Sequence, residues 1–377
     1  VVIGRALSVD AYGRVSVGLA LLTLGTTVSL FGLGQGVPRY MSRADTDERI
    51  RGTWLTGLLV TLGVGGLLAA TLFVAAEPLA DRLLGGEDAA LLRTFALAIP
   101  AVGAMQAGVA GIRGMENTRY RTLSRDLWYP ISRIGVLVVL LSAGLGVLAA
   151  GYAYVVAGIG AAVLAHVLLW RLVPLVGAVE TDTPELLRFS APLVVSSILS
   201  MLLIQTDTLV LGYFTPSAEV ALYGAAYPLA WGLHLVLSAF GFVYLPLASR
   251  LDAAGDHGEL DAVYAVVAKW VYVLTFPGFL AFAAFPRDVL TVFFGARYAG
   301  GAPALVLLAA GFLVNAAAGR NRQTLSALGH TTPLMYMTGA TFVVNLVANL
   351  ALVPRYGLVG AAVASAVSYA TLNLAVC

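Results

Sequence analysis

One stretch restricts this chain more than any other: the 36 residues from Gly135 to Trp170 contain no Asp, Glu, Lys or Arg and a single histidine, His166. A helix needs about 20 apolar residues, rising about 1.5 Å each, to cross the hydrocarbon core of a bilayer. The run is therefore too long for one crossing and must turn back. Gly144-Leu145-Gly146 is the place where the backbone turns most easily. The rest of the chain is of the same kind. Only 11% of the 377 residues are charged and 59% are apolar, whereas soluble domains carry about a quarter charged residues. The 41 glycines suit closely packed membrane helices.

Charged and turn-forming clusters divide the sequence into eleven expected spans: Tyr12–Pro38, Gly52–Ala76, Ala90–Ile112, Leu127–Gly144, Val147–Leu172, Leu187–Tyr213, Ala221–Leu247, Ala265–Phe285, Ala302–Gly319, Leu334–Val353 and Leu358–Val376. Short signatures recur along them. Ile3-Gly4 and Tyr12-Gly13 return as Leu211-Gly212 and Tyr223-Gly224. Pro38 to Arg43 is echoed by Pro246 to Arg250, Gly114 to Thr118 by Ala327 to Thr331, and Gly151 by Gly360. The offsets lie between 207 and 213 residues, which predicts an internal duplication. The partner of Leu187–Tyr213 would then precede Val1. The expected fold is an all-α integral membrane protein, with about eleven visible transmembrane helices of twelve or more. They form two six-helix bundles related by a parallel repeat: an N-terminal bundle over residues 1–172, a cytoplasmic linker over 173–186 and a C-terminal bundle over 187–377.

Basic residues set the orientation. Connections after even-numbered spans, counting the absent helix as the first, hold 14 Arg or Lys, and the opposite ones hold seven. The positive-inside rule places the richer set, with Arg39, Arg43, Arg113 and Arg121, in the cytoplasm. The missing N-terminus is then cytoplasmic as well.

The sequence also narrows the chemistry. The single lysine, Lys269, follows Val266-Val267-Ala268 with no glycine-rich loop, so ATP-driven transport is not expected. No HExxH, CxxC or GxSxG occurs, and the histidines are scattered. No enzyme activity, metal or other cofactor is expected. Asp45-Thr46-Asp47 reads as a solvated loop rather than a glycosyltransferase DxD, and a net charge of +2 gives no sign of nucleic-acid binding.

Certain residues resemble a known family. Gly4, Arg5, Leu7, Ser8, Tyr12 and Gly13 lead into an apolar helix that ends Gly32-Leu33-Gly34-Gln35-Gly36-Val37-Pro38-Arg39-Tyr40. Arg113-Gly114, Ala191-Pro192, Asp207 before Leu211-Gly212-Tyr213, and Tyr356 to Ala362 complete the pattern. Together they resemble the polysaccharide-transporter, Wzx-like oligosaccharide flippase branch of the MOP exporter superfamily. Major facilitator sugar transporters have a Gly-x-x-x-Asp-Arg loop that is absent here. The resemblance implies a flippase that carries an oligosaccharide on a polyprenyl or dolichyl (pyro)phosphate to the outer leaflet of the cell membrane. Its two bundles would enclose a V-shaped cavity and rock between inward- and outward-open states. Its partners would be membrane lipid, the lipid-linked oligosaccharide and glycan-assembly proteins. A cation-coupled drug exporter and a lipid II flippase are alternatives of the same fold. A membrane glycosyltransferase or ligase is the alternative of another class.

Moving an anionic head group past hydrocarbon calls for arginine, which stays charged and grips phosphate bidentately. Within a span it should face a wet cavity. Arg113, Arg133, Arg320 and Arg322 are the head-group candidates, and the competing reading is that they snorkel to inner-leaflet phosphates. Asp207, with Gln205, is the deepest acid and the candidate for coupling to H⁺ or Na⁺ or for gating. Asn315, Gln323, Asn345 and Asn349 are candidate cavity-lining residues; Asn345 and Asn349 share a helix face. His166 and His234 read as hydrogen-bonded packing residues. Pro100, Pro130, Pro228 and Pro277 are expected to kink their helices.

Overall fold

A computed structural model describes residues 1–86, 88–317 and 331–374, and all its regular elements are helical. Nine helical stretches among the described residues are long and apolar enough to cross a membrane. A bilayer offers backbone groups no water, so helices that satisfy their own N–H and C=O groups are the expected solution.

The described chain runs α1 (Val2–Ala6), α2 (Val9–Ser29), α3 (Leu33–Met41), α4 (Asp47–Val74), α5 (Ala76–Leu83), α6 (Ala89–Gly114) and α7 (Thr118–Arg121). A π-helical segment, Thr122–Trp128, leads into α8 (Tyr129–Ser142). There follow α9 (Leu148–Trp170), α10 (Thr183–Phe214), α11 (Ser217–Trp231), α12 (His234–Ala253), α13 (His257–Ala284), α14 (Pro286–Phe294), a 3₁₀ turn (Ala296–Gly301), α15 (Ala302–Ala317) and α16 (Thr331–Leu374). The expected turn at Gly144 to Gly146 separates α8 from α9, with both glycines at positive φ.

Several expected boundaries move, for identifiable reasons. The span Tyr12–Pro38 breaks between α2 and α3, where Phe31 and Gly32 take φ of 47° and 71°. Ala221–Leu247 divides at Gly232 and Leu233, four residues after Pro228. Pro228 leaves the carbonyl of Gly224, one turn earlier, without its helical donor, and Tyr12 Oη supplies one at 3.2 Å; the break itself falls one turn after the proline. The span expected at Ala265 begins eight residues earlier because Asp256 caps α13, accepting from Glu259 N at 3.0 Å. Pro130, expected inside a helix, stands in the first turn of α8, directly after the π-helical segment. Leu334–Val353 and the part of Leu358–Val376 up to Leu374 fall within α16, which is broken at Gly357 (φ 53°, ψ −132°); residues 375 and 376 lie outside the described residues. Glu219 holds that break by accepting from Leu358 N at 2.8 Å.

By packing, the chain forms two compact units. One comprises Val2 and Arg14–Leu202, and residues 173–186 lie wholly within it; the other comprises Val1, Ile3–Gly13 and Leu203–Cys377. The first is built around α6, buried over most of its length between α4 and α9. Small residues let α9 approach: a Cβ at Gly151 would stand 1.7 Å from Thr94 Oγ1, and one at Gly111 would stand 2.6 Å from Leu169 Cδ2. Arg51, almost fully buried, ties the 173–186 segment to α4 by donating to Ala178 O at 2.7 Å and Pro174 O at 3.2 Å.

In the second unit α15 packs against α11, α13 and α16. Two arginines hold α1 to it in reciprocal fashion. Arg5 donates to the carbonyls of Val292 and Phe293, and Arg297 to those of Gly4 and Arg5.

The α6–α9 contact yields a prediction. Gly151→Val should destabilise by about 1–3 kcal/mol through overpacking. Gly66→Val, where nothing lies within 4 Å of the new Cβ, should change stability by less than about 0.5 kcal/mol. Unfolding in detergent followed by circular dichroism separates the two.

Candidate functional site

Asp207 lies on the part of α10 that belongs to the second unit and is completely buried. Four side chains donate to it. Tyr223 of α11 and Ser365 of α16 donate hydroxyl protons to Oδ2. Asn349 and Asn345, also on α16, donate amide protons to Oδ1 at 2.7 and 3.4 Å. Breaking α16 at Gly357 is what lets one helix offer donors from before and after the break. Asn349 Nδ2 also bonds Asn345 O at 2.9 Å, so the pair is held in one orientation. No basic residue pairs with Asp207 among the described residues. The side-chain carbonyl oxygens of Asn345 and Asn349 are buried without a donor. Buried acceptors are seldom left so, and in this cluster two of them accompany a carboxylate.

The sequence marked Asp207, Asn345 and Asn349 but gave no reason to join them, nor to add Tyr223 and Ser365. Gln205 is half-buried two residues along α10 and makes no hydrogen bond to the cluster. Asn315 lies elsewhere, 3.4 Å from His234 Nδ1, and His166 bonds its own helix at Ala162 O, 2.8 Å away. Next to the cluster, the hydroxyls of Tyr227 and Tyr369 meet at 3.2 Å.

The arginine candidates of the first unit stand in two places. Arg133 on α8 stacks on Tyr154 of α9 at 4.6 Å and on Tyr129 at 5.5 Å. A guanidinium on aromatic faces keeps its charge while gaining cation–π attraction. Arg133 pairs with no carboxylate among the described residues, and neither tyrosine partner was legible from the sequence. Arg113 ends α6 and donates to Gly34 O of α3 at 3.2 Å. Arg121 and Arg125 lie near enough for their charges to act on it. Arg320, Arg322 and Gln323 fall outside the described residues.

The sequence pattern of a family described as polysaccharide biosynthesis protein matches residues 1–252, about two thirds of the chain. The chain belongs to this polysaccharide biosynthesis family. A second pattern, MatE, matches residues 192–351. Among family relatives, the probable low-salt glycan biosynthesis flippase Agl15 of Haloferax volcanii is 24% identical over 374 residues, covering 97% of this chain and 75% of that protein. The succinoglycan biosynthesis transport protein ExoT of Rhizobium meliloti is 26% identical over 322 residues, 82% of this chain and 60% of that protein. Two solved structures share the fold. An inward-facing multidrug resistance MATE family transporter of the MOP superfamily superposes with a TM-score of 0.79 at 15% identity, over 99% of this chain and 91% of that one. Lipid II flippase MurJ, inward closed, also gives 0.79, at 13% identity over 100% and 84%. The polysaccharide biosynthesis family chain is thus a multi-pass membrane transporter with a MATE- and MurJ-like fold.

Replacing Asp207 by Leu would remove four hydrogen bonds at once; Asn349 Nδ2 would keep its bond to Asn345 O, but the other donors would lose their acceptor, each costing about 1–3 kcal/mol when buried and unpaired. It should therefore lower stability far more than Tyr227→Phe, which removes one hydrogen bond worth about 1 kcal/mol. Denaturant unfolding in detergent measures both.

Proposed function

We propose that this chain flips a lipid-linked oligosaccharide, carried on a polyprenyl or dolichyl (pyro)phosphate, from the inner to the outer leaflet by alternating access. It works as a transporter with no covalent step, serves the assembly of a surface glycan and lies in the cell membrane with its basic connections inside. The observation that carries this reading is Arg133: a guanidinium on the apolar helix α8, packed on two tyrosine rings and paired with no acid among the described residues. Such an arginine keeps its fork of donors for an incoming anion. The named functions of the flippase relatives agree with it. Arg113 is the second contact to the head group, and glycan-assembly proteins are the expected partners.

Asp207 and its neighbours support coupling to a cation gradient. A Na⁺ ion would supply the partner that the Asn345 and Asn349 carbonyls lack; a proton on Asp207 would instead turn Tyr223 or Ser365 from donor to acceptor. The MatE match over residues 192–351 takes in Asp207, Tyr223, Asn345 and Asn349, and favours a cation-coupled exporter as the second reading.

Flipping of a fluorescent prenyl-pyrophosphate oligosaccharide in proteoliposomes tests the first reading. Arg133→Ala should slow flipping about tenfold or more, the loss of a charged hydrogen bond, with Arg133→Lys between it and the parent. Undiminished flipping by a folded Arg133→Ala protein removes this support. Asp207→Asn should flip at a rate that no longer responds to an imposed Na⁺ or pH gradient. Whichever gradient drives the parent protein identifies the ion, and a parent rate indifferent to both rules out coupling.

A further inference from the structure

The connection from α6 to α8 gathers arginines without pairing them. Arg113 closes α6, Arg119 and Arg121 lie on α7, and Arg125 follows one turn later on the π-helical segment. The end of α6 packs against both α7 and the π-helical segment, which brings Arg121 and Arg125 toward Arg113. Glu116 and Asp126 share the connection, yet neither forms an ion pair with these arginines among the described residues. Arg113 has one hydrogen bond, to a backbone carbonyl, and Arg121 Nε is buried without a partner.

Like charges held together cost free energy unless something of opposite charge joins them. A connection that needed only positive charge for its orientation would gain by spreading its arginines apart. What reverses the repulsion is a multiply charged oxyanion with enough acceptors to bridge several guanidinium groups. The backbone around them is also unusual. A π-helical turn is rare and collects at functional sites. Here it runs over Thr122–Trp128 and carries Arg125 beside exposed Leu123, Leu127 and Trp128. Cationic and apolar surface on one short segment complements an amphiphile whose phosphate head continues into a hydrocarbon chain, and an exposed tryptophan suits the depth where the two meet.

We propose that Arg113, Arg121 and Arg125 form a phosphate-binding site that takes the pyrophosphate of the prenyl-linked cargo at the inner surface, with Leu123, Leu127 and Trp128 against the first part of its chain. This rests on the flippase reading and adds a capture site to it. Bilayer phospholipid carries related phosphate chemistry, so the test must tell the two sources apart.

The experiment measures equilibrium binding of radiolabelled farnesyl pyrophosphate to the full chain in nanodiscs of zwitterionic lipid, then in discs containing an anionic phospholipid. Flipping of the longer cargo is measured on the same proteins. Arg125→Gln and the double variant with Arg121→Gln should weaken binding about tenfold or more. Arg119→Gln should leave it unchanged, and the anionic phospholipid should fail to displace the probe. Arg125 is exposed and makes no hydrogen bond, so its variant folds as the parent does, and circular dichroism checks this. Unchanged affinity in the folded Arg125→Gln and double variants overturns the site. Displacement by anionic phospholipid overturns the cargo assignment in favour of the bilayer. If the parent flips cargo while the variants bind and flip equally well, the capture site fails and the flippase reading stands. A folded parent that neither binds nor flips removes both.

Discussion

Hydrocarbon supplies no hydrogen bonds, and the rest of this structure follows from that constraint. Backbone groups pair within helices. Several threonines and serines inside the spans return their hydroxyls to the preceding turn, as Thr23 does to Leu19 O and Ser368 to Ala364 O. Where a helix breaks, a side chain takes over: Glu219 receives the amide that Gly357 frees in α16. Against this background the groups left without partners are informative. Among the described residues they include Asn345 Oδ1 and Asn349 Oδ1, on the two residues whose amides donate to Asp207, and Arg121 Nε, together with hydroxyls such as those of Thr26, Thr61 and Thr275.

The two clusters have opposite characters. In the second unit a carboxylate, Asp207, is wrapped by four donors and, among the described residues, pairs with no basic side chain. In the first unit Arg14, Arg49, Arg51 and Arg93 are ion-paired, whereas Arg133 rests on tyrosine rings and Arg113 on a backbone carbonyl, with no carboxylate partner among the described residues.

Much of this was legible in the sequence, and what was not has physical causes. The run from Gly135 to Trp170 announced two helices because length against bilayer thickness leaves no other solution. Asp207, Arg113 and Arg133 stood out because charge inside apolar sequence is costly. The break at Phe31 and Gly32 was hidden, since the sequence there stays apolar and the turn is marked only by the positive φ of those two residues. The start of α13 was missed because its polar first turn, capped by Asp256, does not look like membrane helix. Partners were the least legible. Tyr223 and Ser365 are joined to Asp207 by folding across 16 and 158 residues, and nothing in local spacing records such a meeting. The π-helical segment likewise leaves no trace in composition, so Arg121 and Arg125 read as ordinary cytoplasmic positives.

The central claim is that the arginines select an anionic cargo, and cargo charge tests it most directly. Proteoliposomes of the unmodified protein would be given two fluorescent substrates with the same oligosaccharide and prenyl chain, one joined through pyrophosphate and the other through a neutral ether. The account predicts that the pyrophosphate form flips at least about tenfold faster, the worth of one charged hydrogen bond, and that added inorganic pyrophosphate slows it. Equal rates for the two cargoes would contradict it.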